Sequence, residues 1–235
     1  MPLTCSLLLV FRAGVQKWQL PIRELNSLVR SLSVAVAAIL GGALLSACST
    51  GNASGYTGNA SGPTVASIGD SITALSADDI QATLGATYDV DVRGYSGDTI
   101  GQVLPDIQTI ETTESPSRWI LELGTDDAGE ATAGKPTSWQ SDLDTLFSIV
   151  LPASCVVMVN INLAIDNLGE TTTVGAQINA AISAEVATHP NFKLINWASL
   201  AVQNPGWFIA DGIHPNPVGQ QALANSENLA LSVCP

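Results

Sequence analysis

Two short stretches of this chain hold residues whose types and spacing could carry out acyl-transfer chemistry. Gly69-Asp70-Ser71 closes a short apolar run, and Asp211-Gly212-Ile213-His214-Pro215 lies near the C-terminus. Together they supply a serine, a histidine and a carboxylate three residues before that histidine, the minimum set for a serine-dependent acyl hydrolase. The chain has 2 histidines, so a Ser-His mechanism must use His189 or His214. His189, in Thr188-His189-Pro190, stands at a helix end before a proline, where an imidazole serves as a partner for the helix dipole. His214 with Asp211 is therefore the candidate base and its orienting acid, and Ser71 the candidate nucleophile.

Other chemistries find little support. Two histidines and no His-Glu-x-x-His leave no zinc set, so no metal is expected. No glycine-rich phosphate or dinucleotide loop is present, so no cofactor is expected. The missing Gly-x-Ser-x-Gly argues against the α/β-hydrolase type. The adjacent pair Asp78-Asp79 falls on an exposed helix and reads as solvated. The net charge is −13. The four basic residues of the leader, Arg12, Lys17, Arg23 and Arg30, precede position 48. After it, Arg93, Arg118, Lys135 and Lys193 stand against twenty acidic residues. Such a body repels nucleic acid and anionic lipid headgroups.

The N-terminal part reads as an export signal. Arg30 precedes an apolar stretch over 32–45, too short and too rich in Ala and Gly for a membrane span. It ends in Leu45-Ser46-Ala47-Cys48, which resembles a bacterial lipobox and implies a diacylated Cys48 as the first mature residue. Residues 1–28 carry a separate apolar run and Pro21, which places the expected start near Leu28 or Val29. Residues 48–63 form the lipidation site and a tether of Ser, Thr, Gly, Asn and Ala in which one hexapeptide occurs twice, at 50–55 and 57–62. The expected product is an exported, membrane-anchored lipoprotein or a secreted protein whose membrane contact is the lipid alone. With the leader removed and Cys48 acylated, Cys155 and Cys234 are the two remaining thiols, and an oxidising compartment predicts their pairing.

Residues 64–235 must position the reactive groups. Apolar β-rich runs at 64–68, 88–93, 119–123, 156–161 and 192–197 alternate with helical patterns. Helix starts are legible at Ser76 with Asp79, ending near Gly85; at Thr137 with Gln140 as a capping box, followed by Leu143, Leu146, Phe147 and Val150 on one face; and at Asn216 with Pro217, running to about Leu231. A further helix covers 174–186. Five strands with intervening helices predict a three-layer α/β/α sandwich on a five-stranded parallel, flavodoxin-like sheet. In such folds the site lies beyond the carboxyl ends of the strands, where Gly69-Asp70-Ser71 and Gly124-Thr125-Asp126 fall.

Four blocks at these strand ends give the chain a resemblance to the SGNH/GDSL hydrolases over essentially all of 64–235. Gly69-Asp70-Ser71 resembles the family's nucleophile block. Ser96-Gly97-Asp98-Thr99 resembles the second, whose glycine offers a backbone N–H. Gly124-Thr125-Asp126-Asp127 resembles the third, usually Gly-x-Asn-Asp, and Asp211-Gly212-Ile213-His214-Pro215 the last. The resemblance implies an esterase (EC 3.1.1 class) with Ser71, His214 and Asp211 as catalytic residues. The N–H groups of Ser71 and Gly97 and the side chain at 126 would face the oxyanion. Asp126 departs from the family, because an ionised carboxylate has no donor to offer there. Either it is protonated, or it points away, or the protein binds without efficient hydrolysis. Asn196-Trp197 and Trp207-Phe208 resemble extracytoplasmic domains that move acetyl groups on cell-wall glycans, although two core tryptophans would read the same way. The expected substrate is a small acyl ester of a carbohydrate or other envelope-associated molecule, handled by a monomer. Transfer of O-acetyl groups to cell-wall glycan, or a catalytically weak acyl-glycan binding module, are the alternatives.

Overall fold

The computed structural model describes residues 55–163 and 171–235; the leader and Cys48 lie outside the described residues. The strands are β1 (Thr57–Gly58), β2 (Thr64–Gly69), β3 (Asp89–Gly94), β4 (Arg118–Glu122), β5 (Cys155–Val159) and β6 (Phe192–Ile195). The helices are α1 (Ser71–Leu84), α2 (Ile100–Thr113), α3 (Thr125–Thr132), α4 (Trp139–Val150), α5 (Thr171–Thr188), α6 (Trp197–Gln203) and α7 (Pro217–Ser232), with a 3-10 turn at Pro205–Trp207.

The sheet order is β1-β3-β2-β4-β5-β6. The five strands from β2 to β6 are mutually parallel in the flavodoxin-like order. The sheet has one strand more than expected. Thr57–Gly58, in the second hexapeptide, pairs antiparallel with β3, and Asn59 bonds through its side chain to Thr87 O (3.3 Å). Composition concealed this, because the pairing uses backbone groups that any sequence supplies.

Alternation along the strands builds two cores. Ala66, Ile68, Trp119, Leu121, Val156 and Met158 face α2, α4 and α5, where Ile100, Val103, Ile107, Leu143, Leu146, Ile178 and Ile182 are buried. Val65, Val90, Val92, Ile120, Val157 and Val159 face α1 and α7, meeting Ile72, Ile80, Leu84, Leu223, Ala224 and Leu231. Each central strand is thus apolar on both faces, the pattern of a sheet covered on both sides.

Two helix starts differ from expectation. α1 begins at Ser71, five residues before Ser76, because Asp70 caps it by accepting from Ile72 N (2.9 Å). Ser76 instead lies buried inside the helix and bonds back to Ile72 O (2.8 Å). For α4 the N-cap is Ser138, not Thr137, and its hydroxyl reaches Asp142 Oδ2 (2.6 Å). α7 begins as read, with Asn216 Oδ1 accepting from Val218 N (3.0 Å) and Gly219 N (3.2 Å) and Pro217 following the cap.

Cys155 at the start of β5 and Cys234 after α7 form a disulfide across 79 residues, with Cα atoms 5.8 Å apart. Closing a loop of this size removes about 4–5 kcal/mol of unfolded-state entropy on the chain-entropy model. The chain unfolded without reductant should therefore leave both cysteines unalkylated by mass spectrometry. Reduction should lower the unfolding free energy by about 2–5 kcal/mol. Alkylation of both in the unreduced chain would contradict the pairing.

Candidate active site

The strand order reverses between β2 and β4, and the crevice at their carboxyl ends is the topological switch point of the sheet. β2 ends at Gly69, followed by Asp70 as cap and Ser71 as the first residue of α1. A side chain at Gly69 would lie 2.0 Å from Thr73 Oγ1 and 2.6 Å from Glu122 O, so only glycine allows this turn. Ser71 therefore sits at a helix N-terminus, where backbone N–H groups lack intrahelical partners and the helix dipole is positive.

The loop after β3 is tied to the same corner. Tyr95 N donates to Gly69 O (2.8 Å), and Asp98 N donates to Tyr95 O (3.2 Å). Gly97 lies in this turn with φ +85°, a conformation that side chains disfavour, and nothing lies within 4 Å of where its Cβ would be. The open space on that side leaves room for a substrate group beside its backbone.

His214 comes from the segment that leads into α7. Phe208 bridges to Pro215, and Ile209 N donates to His214 O (2.9 Å). The loop is braced from below by Asn162, whose Nδ2 donates to Gly212 O (2.8 Å). Asp211 Oδ1 accepts from Ile213 N (2.8 Å) and His214 N (3.0 Å). Its Oδ2 lies 2.8 Å from His214 Nδ1, and His214 Nε2 lies 2.9 Å from Ser71 Oγ. A carboxylate on Nδ1 assigns the proton to that nitrogen and leaves Nε2 as the acceptor for the serine hydroxyl. Burial raises the Asp211 carboxyl, but the hydrogen bonds from the His214 ring and backbone and from Ile213 N together outweigh it and hold the group below its usual range. Asp211 is thus an anion wherever His214 can act as a base.

Asp126 is the second residue of α3, whose first turn follows Gly124, two residues past the end of β4. Its Oδ2 is buried and makes no hydrogen bond. Burial, reinforced by the charges of Asp70, Asp127 and Asp98 and opposed by His214, raises its carboxyl to about 7. The neighbouring Asp127 has a different task. It accepts from Ile100 N (2.9 Å) and so ties the start of α3 to the start of α2. Burial raises it to about 6.

The structure thus brings Ser71, His214 and Asp211 into one hydrogen-bonded line and sets Asp126 within electrostatic reach of His214. His189 is not part of this set. It lies at the end of α5, where its Nδ1 faces Glu185 O (3.2 Å) and Glu185 Oε1 (3.1 Å). Trp197 is fully buried in the core, stacked on Trp207 at 5.9 Å, and Asn196 caps α6 and accepts from Asn160 Nδ2 (3.1 Å). Trp207 and Phe208 pack against this core while remaining partly exposed. Among the described residues, no group of three or more His, Cys, Asp or Glu side chains could hold a metal ion.

Two participants escaped the reading of the sequence. Asn162, which holds the Asp211–His214 loop, follows β5 with no motif around it. Glu122 is a fully buried acid that accepts from Thr73 Oγ1 in the first turn of α1 (3.2 Å), and its signal is a lone charge inside the apolar run Trp119-Ile120-Leu121-Glu122-Leu123.

Known proteins share this arrangement of chain. The fold is similar to the catalytic domain of peptidoglycan O-acetyltransferase A from Streptococcus pneumoniae, at 16% identity and a TM-score of 0.60 over 73% of this chain and 93% of that one. It is similar to a putative acylhydrolase from Bacteroides fragilis, at 20% identity and a TM-score of 0.61 over 75% and 89%. It is also similar to a catalytic mutant of Axe2, an acetylxylan esterase from Geobacillus stearothermophilus, at 16% identity and a TM-score of 0.58 over 72% and 94%. No curated protein sequence matches the chain. The family model that does match it, over residues 67–222, is that of the GDSL-like lipases and acylhydrolases, and it spans all four blocks. With its blocks gathered at one switch point, the chain belongs to the GDSL-like lipase/acylhydrolase family and is a hydrolase of that type.

Proposed function

We propose that this protein is a serine-dependent carboxylic ester hydrolase acting on short acyl esters, of the acetyl type, on carbohydrate or envelope-associated molecules. The observation that carries this reading is the line Ser71–His214–Asp211, closed at 2.9 and 2.8 Å with the acceptor nitrogen facing the hydroxyl. In the first half-reaction Ser71 Oγ attacks the ester carbonyl as its proton passes to His214 Nε2. The tetrahedral oxyanion is met by the N–H groups of Ser71 and Gly97 and by the protonated carboxyl of Asp126. His214 returns the proton to the departing alcohol, leaving an acyl-enzyme. Water then repeats the sequence: its proton goes to His214, its oxygen to the acyl carbon, and the proton ends on Ser71 as the carboxylic acid leaves. Asp211 fixes the imidazole tautomer and stabilises the imidazolium.

The acetyl class is supported by the Axe2 acetylxylan esterase and the peptidoglycan O-acetyltransferase domain among the similar folds. The latter also favours a second reading in which a glycan hydroxyl replaces water as acyl acceptor through the same residues. The acidic body argues against anionic substrates and nucleic acid. An exported protein held at the membrane by two acyl chains on Cys48 is consistent with the lipobox-like tetrapeptide and the polar segment after it. A Cys48→Ser variant should move from the detergent phase to the aqueous phase, and an unchanged partition would contradict the anchor.

A serine-directed phosphonate should add one label, on the peptide containing Ser71. Turnover of a chromogenic acetyl ester should disappear in Ser71→Ala. Labelling at another residue, or undiminished turnover, would overturn the mechanism.

Asp126 sets the alkaline side of the activity. As a donor it must hold its proton, so its contribution is present below about 7 and lost above it. His214 must be neutral to act as base, so activity also falls at low pH and the profile should be a narrow bell. Asp126→Asn supplies an N–H donor at every pH. It should raise kcat at neutral to alkaline pH by about tenfold or more and flatten the alkaline limb. An unchanged kcat and profile would show that Asp126 does not face the oxyanion.

A further inference from the structure

Behind the nucleophile lies a second pair of carboxyls that the mechanism does not use. Asp70 and Glu122 are both sealed from solvent, at 0% and 1% exposure. Their side chains lie within hydrogen-bonding reach of each other. The backbone joins them as well, with Asp70 N donating to Glu122 O (3.1 Å). Each carboxyl uses one oxygen for the turn around Ser71. Asp70 Oδ1 accepts from Ile72 N (2.9 Å), and Glu122 Oε2 accepts from Thr73 Oγ1 (3.2 Å). The other two oxygens, Asp70 Oδ2 and Glu122 Oε1, are buried without a partner if both groups are ionised. Two bare carboxylates in contact and out of water would repel strongly. One proton between them satisfies both oxygens at once.

We propose that Glu122 carries that proton and is a positioning residue for Ser71, donating through Oε1 to the Asp70 carboxylate that caps α1. The inference rests on the reading of Ser71 as the nucleophile, because what Glu122 holds in place is the turn Gly69-Asp70-Ser71. Burial, together with the charge of Asp70, keeps the Glu122 carboxyl well above the usual range. The groups that face the pair agree with this placement of charge. Glu227 on α7 is fully buried and raised by burial to about 8, and where it is charged it opposes ionisation of Glu122. His214 attracts the negative charge of Asp70. Asp126, on α3, is repelled by it and so kept in its proton-bearing form. The Thr125 hydroxyl favours the charged form of Asp70, but its Oγ1 is buried without a hydrogen bond and so leaves the Asp70 oxygen open to the shared proton. Glu122 thereby keeps one negative charge on Asp70, where it supports both the turn and the donor state of Asp126.

Two variants and one spectroscopic measurement test this. Gln at position 122 keeps an acceptor for Thr73 and a donor for Asp70; Ala keeps neither. With no donor, the buried Asp70 takes up a proton and its charge is lost. The repulsion that holds the proton on Asp126 then weakens, so the alkaline limb moves to lower pH. The expected result is a kcat at least tenfold lower in Glu122→Ala with the alkaline limb shifted downward, and recovery of most of kcat and of the limb's position in Glu122→Gln. Equal loss in both variants with an unmoved limb would show a purely structural residue and overturn the proposal. In the intact chain labelled with carbon-13 at the glutamate side-chain carboxyls, the wild type at pH 7 should show a protonated carboxyl signal that Glu122→Gln removes. An ionised signal assigned to Glu122 would overturn the proposal whether or not Glu122→Ala folds. This measurement needs no turnover, so failure of the ester-hydrolase reading and failure of the Glu122 assignment are separately visible.

Discussion

The site depends on one hydrogen bond that closes across 143 residues, from Ser71 at the start of α1 to His214 before α7. Nothing local holds these two groups together. Their meeting requires α1 and α7 to lie side by side on one face of the sheet, which they do through Ile72, Ile80, Leu84, Leu223, Ala224 and Leu231. Gln221 adds a bond to Thr83 Oγ1 (3.1 Å) across that contact. The far end of α7 is fixed by the Cys155–Cys234 disulfide and by Arg118, which donates to Leu231 O (3.1 Å) and Pro235 O (3.1 Å). A helix anchored at its C-terminus and packed along its length delivers its leading loop to one place. Asn162 and the Phe208–Pro215 bridge then set the loop itself.

Around that bond the site separates four carboxyls into three kinds. Asp211 is open to solvent and surrounded by N–H donors, so it is an anion that orients His214. Asp126 and Glu122 are buried near other acids, and burial with like charge favours their neutral forms. Asp70 lies between, buried but bonded to Ile72 N. The same functional group is thus favoured as an anion at one position and as a neutral acid at another by its surroundings alone.

Most of this was legible in the sequence because it depends on short-range rules. Continuous apolar runs gave the five parallel strands, and Asn216-Pro217 marked the start of α7. The four blocks named Ser71, Gly97, Asp126, Asp211 and His214, and the geometry gathers the first of these with the last two. What stayed hidden depends on long-range contact. The pairing of Thr57–Gly58 with β3 uses only backbone groups. α1 starts at Ser71 because Asp70 turns its side chain onto Ile72 N, a choice that Ser76 with Asp79 appeared to make equally well. The Asp70–Glu122 contact joins residues from two strand ends that only the sheet register brings together, Gly69 standing opposite Glu122.

The Ser71–His214 contact is what would activate the serine. The most direct measurement is the second-order rate constant for phosphonate labelling of Ser71 in the wild type and in His214→Ala. A general base in contact with the nucleophile is worth about two to four orders of magnitude. A fall of that size is expected in His214→Ala, with the label still on Ser71. Labelling at the wild-type rate would show that His214 does not act on the serine.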